Sequence, residues 1–465
     1  IIKNPASILP MFTDFSDYIY SENFPGINRI MTGMRANNQV DIQWELYKVG
    51  ETGEHKAIRT LSSQSLRDVL KGTGKSCDLD AIYKLKAAYL RKQINIKVNQ
   101  DSFAVFMNKF RSRNSFSRIT FECLAEEFER EFNFDLVEAT RELYDQHGLA
   151  ALRVQDIEQY TGKGNEGPML AFSVWNSSDV NGIISAYTDK GDGSRDLLNV
   201  GDFMIRAGEC SRICFPLPHS VGGVILQTNL AQNIPGNYIY NFMEFPQEVL
   251  VHAGRKKLEP FCFLPPSGEI VVDNEDQGFH VFASETKESL LGKLLQNKMI
   301  VEDSGVDFLT DNAPGWVSSV YIDAYGFPVR SFLGKKTKNS QARAEWKTEI
   351  PEQGEYGVSI YKLDLDFRYQ RQADSVAYYY TLEQGDYRAD IVMSFLRNGL
   401  QNIYLSDNLG RKEEYSYQQQ MPQCGWIQVG VLPLVKGKVK LILHDKGAFP
   451  EQLVFADAVK WVKKS

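Results

Sequence analysis

The sequence predicts a multidomain α+β chain in which a helical N-terminal domain precedes two antiparallel β-sandwiches. Three observations carry this. The chain has 465 residues, more than one ordinary core accommodates. Its first ~150 residues repeat apolar side chains at the helical period, and from Leu152 onward the period falls to two. Composition adds a third: 43% hydrophobic and 24% charged residues describe a packed globular chain rather than a disordered one.

The helical region, residues 1–150, contains four readable segments. "LDAIYKLKAAYLRKQI" opens on an acid and closes on basic residues, the order that complements a helix dipole. In "DSFAVFMNKF" Asp101 is placed to cap a helix whose Phe103, Phe106, Met107 and Phe110 share one face. "FECLAEEFEREF" repeats Leu124, Phe128 and Phe132 beside a solvated acidic face. In "DLVEATRELYDQHG", Asp135 and Glu138 have capping-box spacing and Gly148 is expected to end the helix.

Residues 151–245 follow as short runs, "MLAFSVWN", "GIISAYTD", "DFMIRAG", "SRICFPLP" and "GGVILQTN", separated by turn-forming residues. Residues 246–268 are poorly patterned and read as a connector. Region 269–465 again reads as strands: "RAEWKTEI", "GEYGVSIYKL", "VAYYYTLE", "RADIVMSF", "GWIQVGVLPL", "GKVKLILHD" and "LVFADAVKWV". An insert, "ETKESLLGKLLQNK", carries one helical turn pattern through Leu290, Leu291, Leu294 and Leu295.

Charge and cysteine usage narrow the function. A formal net charge of -7 argues against nucleic acid or an anionic membrane as partner. Six cysteines are too sparse for a disulfide framework, and Cys210 and Cys214, four apart on a strand, stand ~13 Å apart. The six histidines never form a close pair, so no self-contained zinc site is expected. No apolar run reaches the ~18 residues of a transmembrane helix. No signal peptide is read either, and the start at Ile1 raises the expectation that a further part lies upstream.

Region 269–465 resembles the golvesin C-terminal-like family, also seen as an accessory domain of xanthan lyase. The matching motifs, in order, are "IVVDNEDQGF" (270–279), "ARAEWKTEIPEQGEYGVSIY" (342–361), "GWIQVGVLPLVKGKVKLIL" (425–443) and "VFADAVKWV" (454–462). The resemblance implies a jelly-roll-like β-sandwich, with carbohydrate or cell-envelope binding as the expected role and an extracytoplasmic bacterial setting. Residues 1–240 resemble the end of the catalytic domain and the following Ig-like β-domain of the aminopeptidase N family, through the order "AIYKLKAAYL", "DSFAVFMNKF", "ITFECLAEEFEREFNFDL" and the β-rich segment from Arg153.

That family's chemistry requires a His-Glu-x-x-His zinc motif, which this sequence lacks. Lys84 stands where an oxyanion-stabilising tyrosine belongs, and Tyr83 reaches that place only with a one-residue shift. Two readings follow. In the first, the chain is a non-catalytic binding or assembly module with a glycan or protein partner. In the second, it is the C-terminal half of a zinc aminopeptidase-like protein whose metal-binding half lies upstream. A membrane tether through an upstream part fits either.

Candidate residues are few. Trp316, Tyr325, Tyr378, Tyr379 and Tyr380 are expected to supply sugar-stacking rings, and alternation places Tyr379 opposite Tyr378 and Tyr380. Trp346 and Trp426, both inside family motifs, are expected in the core. Asp273, Asn274, Glu275 and Asp276 form an oxygen-rich run able to ligate calcium, although the spacing is not that of an EF-hand loop. His444-Asp445 with Glu451 lacks a nucleophile and reads as a turn. Asp457, in line with Phe455, Val459 and Trp461, is expected to be structural, with backbone N–H groups or a loop hydroxyl satisfying it.

Overall fold

A computed structural model describes residues 17–34, 49–72, 79–115, 117–161, 167–189, 197–242, 252–266, 268–282, 300–302, 315–337, 342–365, 373–418 and 424–464. It is a sheet-rich α+β chain in two compact units: residues 1–42 with 53–263, and residues 43–52 with 264–465. The insert "ETKESLLGKLLQNK" lies outside the described residues.

The first unit opens with the helices α1 (Ile27–Gly33), α2 (Gly53–Leu61), α3 (Leu66–Lys71), α4 (Leu79–Lys97), α5 (Gln100–Arg113), α6 (Phe121–Phe132) and α7 (Leu136–Asp145). A parallel pair, β1 (Asp17–Tyr20) with β2 (Ser117–Thr120), lies among them. The apolar faces read from sequence are inward, with Phe103, Met107, Phe110, Leu124 and Phe128 buried. Two termini differ from expectation. The cap of α5 is Asn99, whose Oδ1 accepts from Asp101 N at 2.8 Å, so Asp101 sits in the first turn instead. Helix α7 starts as expected, with Asp135 accepting from Glu138 N at 2.8 Å, but it stops at Asp145; Gly148, in the left-handed region, lies beyond it.

Strands β3 (Leu152–Thr161), β4 (Pro168–Asn176), β5 (Gly182–Asp189), β6 (Leu197–Ile205), β7 (Cys210–Pro216), β8 (Gly223–Gln227), β9 (Asn237–Asn241) and β10 (Gly254–Lys257) complete the unit. They form two four-stranded sheets, ordered β10-β7-β4-β3 and β6-β5-β8-β9. Leu170, Phe172 and Val174 of one sheet and Ile184, Ala186 and Leu226 of the other share one core. Strand β10 falls in the stretch expected as a connector; its four exposed residues gave no alternation to read, and its pairing with β7 defines it.

The second unit contains β11 (Glu269–Val272), β12 (Phe279–Phe282), β13 (Ile300–Glu302), β14 (Trp316–Val320), β15 (Ser331–Lys336), β16 (Arg343–Ile350), β17 (Gly354–Lys362), β18 (Ser375–Gln384), β19 (Tyr387–Leu396), β20 (Leu400–Asp407), β21 (Lys412–Gln418), β22 (Gly425–Leu434), β23 (Gly437–His444), β24 (Leu453–Ala456) and β25 (Val459–Lys463). A seven-stranded sheet runs β12-β16-β23-β18-β19-β20-β21; two four-stranded sheets run β11-β25-β17-β22 and β13-β14-β15-β24. Their inner faces meet on one core that includes Trp316, Trp346, Tyr356 and Trp461.

The terminal "LVFADAVKWV" is therefore not one strand. It breaks at Asp457–Ala458, and its two halves join different sheets: β24 pairs with β15, and β25 pairs with β11 and β17. The corner is held by Trp346 Nε1 donating to Asp457 O at 2.8 Å and Tyr361 N donating to Ala458 O at 2.9 Å.

Candidate functional site

Strand alternation turns Tyr356, Val358 and Ile360 of β17 into the core, so Ser359 and Tyr361 face the other way. Trp426 stands directly across from Tyr361 on β22. The segment linking β14 to β15, residues 321–330, brings Tyr325 over this pair. The three ring centroids lie 5.0–5.4 Å apart, with planes tilted by 55–84°, so the rings form a corner rather than a flat plate. All three are half-buried. Lys460 of β25, ion-paired with Glu269 at 3.5 Å, holds its Nζ 4.8 Å from the Trp426 ring centre.

Polar groups surround these rings. Asp323, Asp364 and Cys424 place one ligand atom each within 4.8 Å of one another. Asp364 accepts from Tyr321 Oη at 2.8 Å, and its N–H donates to Cys424 Sγ at 3.2 Å. Burial and then the Asp364 and Asp323 carboxylates push the Cys424 thiol far up, so it is protonated at neutral pH. Burial, followed by the Asp457 carboxylate, likewise keeps the Tyr361 hydroxyl protonated, while Arg330 acts in the opposite sense. The arrangement offers carboxylate acceptors, a phenolic donor and a guanidinium around aromatic faces, the polar and apolar pairing that a polyhydroxylated ligand requires.

Several sequence-based site residues lie elsewhere. Trp316 on β14 is wholly buried, and Tyr378 and Tyr380 point into the core from the inner face of the seven-stranded sheet. These three stacking candidates are corrected to core residues: on β14 Val317, next to Trp316, is buried as well, and on β18 the outward place belongs to Tyr379. Tyr379 occupies that outer face, half-exposed under Lys446 Nζ at 4.7 Å. Trp346 is buried, whereas Trp426 belongs to the half-buried aromatic corner and not to the core.

Asp457 is 3% exposed; its Oδ2 accepts from Tyr325 N at 3.0 Å, so the residue positions one of the three rings from below. Asp273, Asn274, Glu275 and Asp276 form the turn after β11. There Asp276 Oδ2 accepts from Asp273 N at 2.8 Å, and Ser331 Oγ donates to Glu275 Oε1 at 2.6 Å. His444 Nε2 lies 3.0 Å from Thr381 Oγ1, and Asp445 N donates to Ala342 O at 2.9 Å.

Sequence reading missed Tyr361, Asp323, Asp364, Cys424 and Lys460. Tyr361 and Trp426 fall inside the quoted family motifs, but only their cross-strand register brings them together.

No family model matches the chain, and no curated protein matches it. Among solved structures it is similar to a β-glucuronidase of Bacteroides uniformis, at 11% identity over 68% of this chain and 30% of that one, with a TM-score of 0.19. It is also similar to a calcium-binding mutant of B. uniformis β-glucuronidase 2, at 10% identity over 71% of this chain and 32% of that one, TM-score 0.19. Red sea bream transglutaminase follows at 9% identity over 61% and 33%, TM-score 0.08. The chain spans about a third of the length of these proteins, and likenesses at such TM-scores carry no argument about its function.

Proposed function

We propose that residues 269–465 form a golvesin-like, jelly-roll-like sandwich that binds carbohydrate at the Tyr325–Tyr361–Trp426 corner. The chain is read as a non-catalytic module of an extracytoplasmic bacterial multidomain protein whose first unit contains an Ig-like pair of sheets. The observation that carries the reading is the convergence of three half-buried rings with Asp323, Asp364 and Arg330 around them. Ring faces suit the C–H faces of a pyranose, and carboxylates and a guanidinium suit its hydroxyls.

A glycan array with the full chain, followed by calorimetry on the best ligand, tests this. Tyr325→Ala and Trp426→Ala are expected to weaken binding at least tenfold, a loss of ~1.4 kcal/mol or more, at unchanged melting temperature. An empty array, or two variants that bind as the parent does, sinks the proposal.

A further inference from the structure

Beneath the Tyr325 segment, two carboxylates meet from opposite ends of the second unit's sequence. Asp273, in the turn after β11, is 7% exposed, and Asp457, at the β24–β25 corner, is 3% exposed. Asn274 N donates to Asp273 Oδ1 at 2.8 Å, while Tyr325 N donates to Asp457 Oδ2 at 3.0 Å. Gly326, next in the chain after Tyr325, has a left-handed φ of 124° and passes so close that a Cβ there would stand 2.8 Å from Asp273 Oδ2 and 2.1 Å from Val329 O. The backbone of Tyr325 and Gly326 thus rests against both acids, and the Val329 carbonyl oxygen lies against Gly326.

Once ionised, this pair has no cation beside it among the described residues. Asp273 acts on Asp457, and Asp276 and Glu275 act on Asp273; no lysine or arginine figures among the groups that act on either. Asp457 Oδ1 is buried and has no hydrogen-bond partner among the described residues. A buried carboxylate oxygen in that state is costly, and two buried like charges cost more. The turn is otherwise well anchored. The Asn274 amide nitrogen faces Asp273 Oδ1 at 2.9 Å and Ser331 O at 2.7 Å.

We propose that Asp273 and Asp457 bind a calcium-class divalent cation that links the turn after β11 to the β24–β25 corner, with backbone carbonyl oxygen and water completing its shell. A hard cation with six to eight oxygen ligands suits two carboxylates, one of which has a buried oxygen without a partner. Histidine and thiolate, which zinc prefers, are not among the groups acting on either acid. The ion would fix the backbone that carries Tyr325. The inference stands independently of carbohydrate binding.

The test uses the full chain, stripped with EGTA, dialysed, and titrated with calcium chloride by calorimetry, with thermal melts in parallel. One equivalent is expected to bind and to raise the melting temperature of the second unit by several degrees. The near-isosteric variants Asp273→Asn and Asp457→Asn are expected to weaken binding at least tenfold, while Asp364→Asn binds as the parent does. Should either amide variant fail to fold, calcium in the unstripped chain, measured by elemental analysis, decides the matter: about one ion per chain supports the site, and none overturns it. The proposal is also overturned if calcium gives neither heat nor a thermal shift, or if Asp457→Asn retains the parent's affinity. Loss of binding in Asp364→Asn alone overturns it too, because the ion would then sit at Asp323, Asp364 and Cys424.

Discussion

At the residue scale, Asp273 and Asp457 give the metal-free chain a distinctive response to pH. Burial, reinforced by Asp276 and Glu275, pushes Asp273 up to about 8, and burial, reinforced by Asp273, holds Asp457 well above the carboxylate range. Between the ordinary carboxylate value of 3.8 and about 8, the folded chain therefore retains protons that the unfolded chain has released. Stability contributed by these groups is full below that window and is lost as pH rises through it. In EGTA, the melting temperature of the second unit is expected to fall from about pH 5 to about pH 8, and Asp457→Asn is expected to flatten the slope. With calcium present the ionised pair is the binding form, so the calcium-induced shift should grow over the same range. A parent and an Asp457→Asn variant with identical slopes in EGTA would show that the pair does not govern this response.

At the scale of elements, local chemistry and long-range pairing divide the work. The cap of α5 is local: Asn99 Oδ1 takes the Asp101 and Ser102 N–H groups, whereas Asp101 contributes only a charge in the first turn. Asn99→Ala should then cost ~1 kcal/mol in urea unfolding, and Asp101→Ala a few tenths. The reverse order would move the cap back to Asp101. Strands β16 and β17 were legible because their residues alternate, and α4 and α6 because their apolar faces repeat at the helical period. Strand β21, "KEEYSYQ", was not, because its residues are exposed or half-exposed and only pairing with β20 makes it a strand. The break at Asp457 was equally hidden, since alternation runs unbroken through the corner and the cause is tertiary: Trp346, Tyr325 and Tyr361 take its polar groups from 111, 132 and about 97 residues away. The aromatic corner was half-legible for the same reason. Tyr325 stood out as an aromatic in the sequence, but its proximity to Tyr361 and Trp426 depends on a loop and two strands far apart in the chain.

At the scale of the whole molecule, the boundary of the second unit is not a single cut. The unit takes in residues 43–52 as well as 264–465, and Val49 packs against its core. Gly50 N donates to Val320 O at 3.1 Å, which adds a backbone bond to the last residue of β14. A chain beginning at Leu264 lacks both contacts. One backbone hydrogen bond contributes ~1 kcal/mol, and the partial burial of a valine contributes about as much again. A loss of ~2 kcal/mol in a unit of about 200 residues corresponds to roughly 4–8 °C in melting temperature. The fragment 264–465 is therefore expected to melt several degrees below the same unit within the full chain, and fusing residues 43–52 to it through a flexible linker should recover most of the difference. Identical melting of the fragment with and without that segment would place the boundary at Leu264 and remove Val49 and Gly50 from the unit.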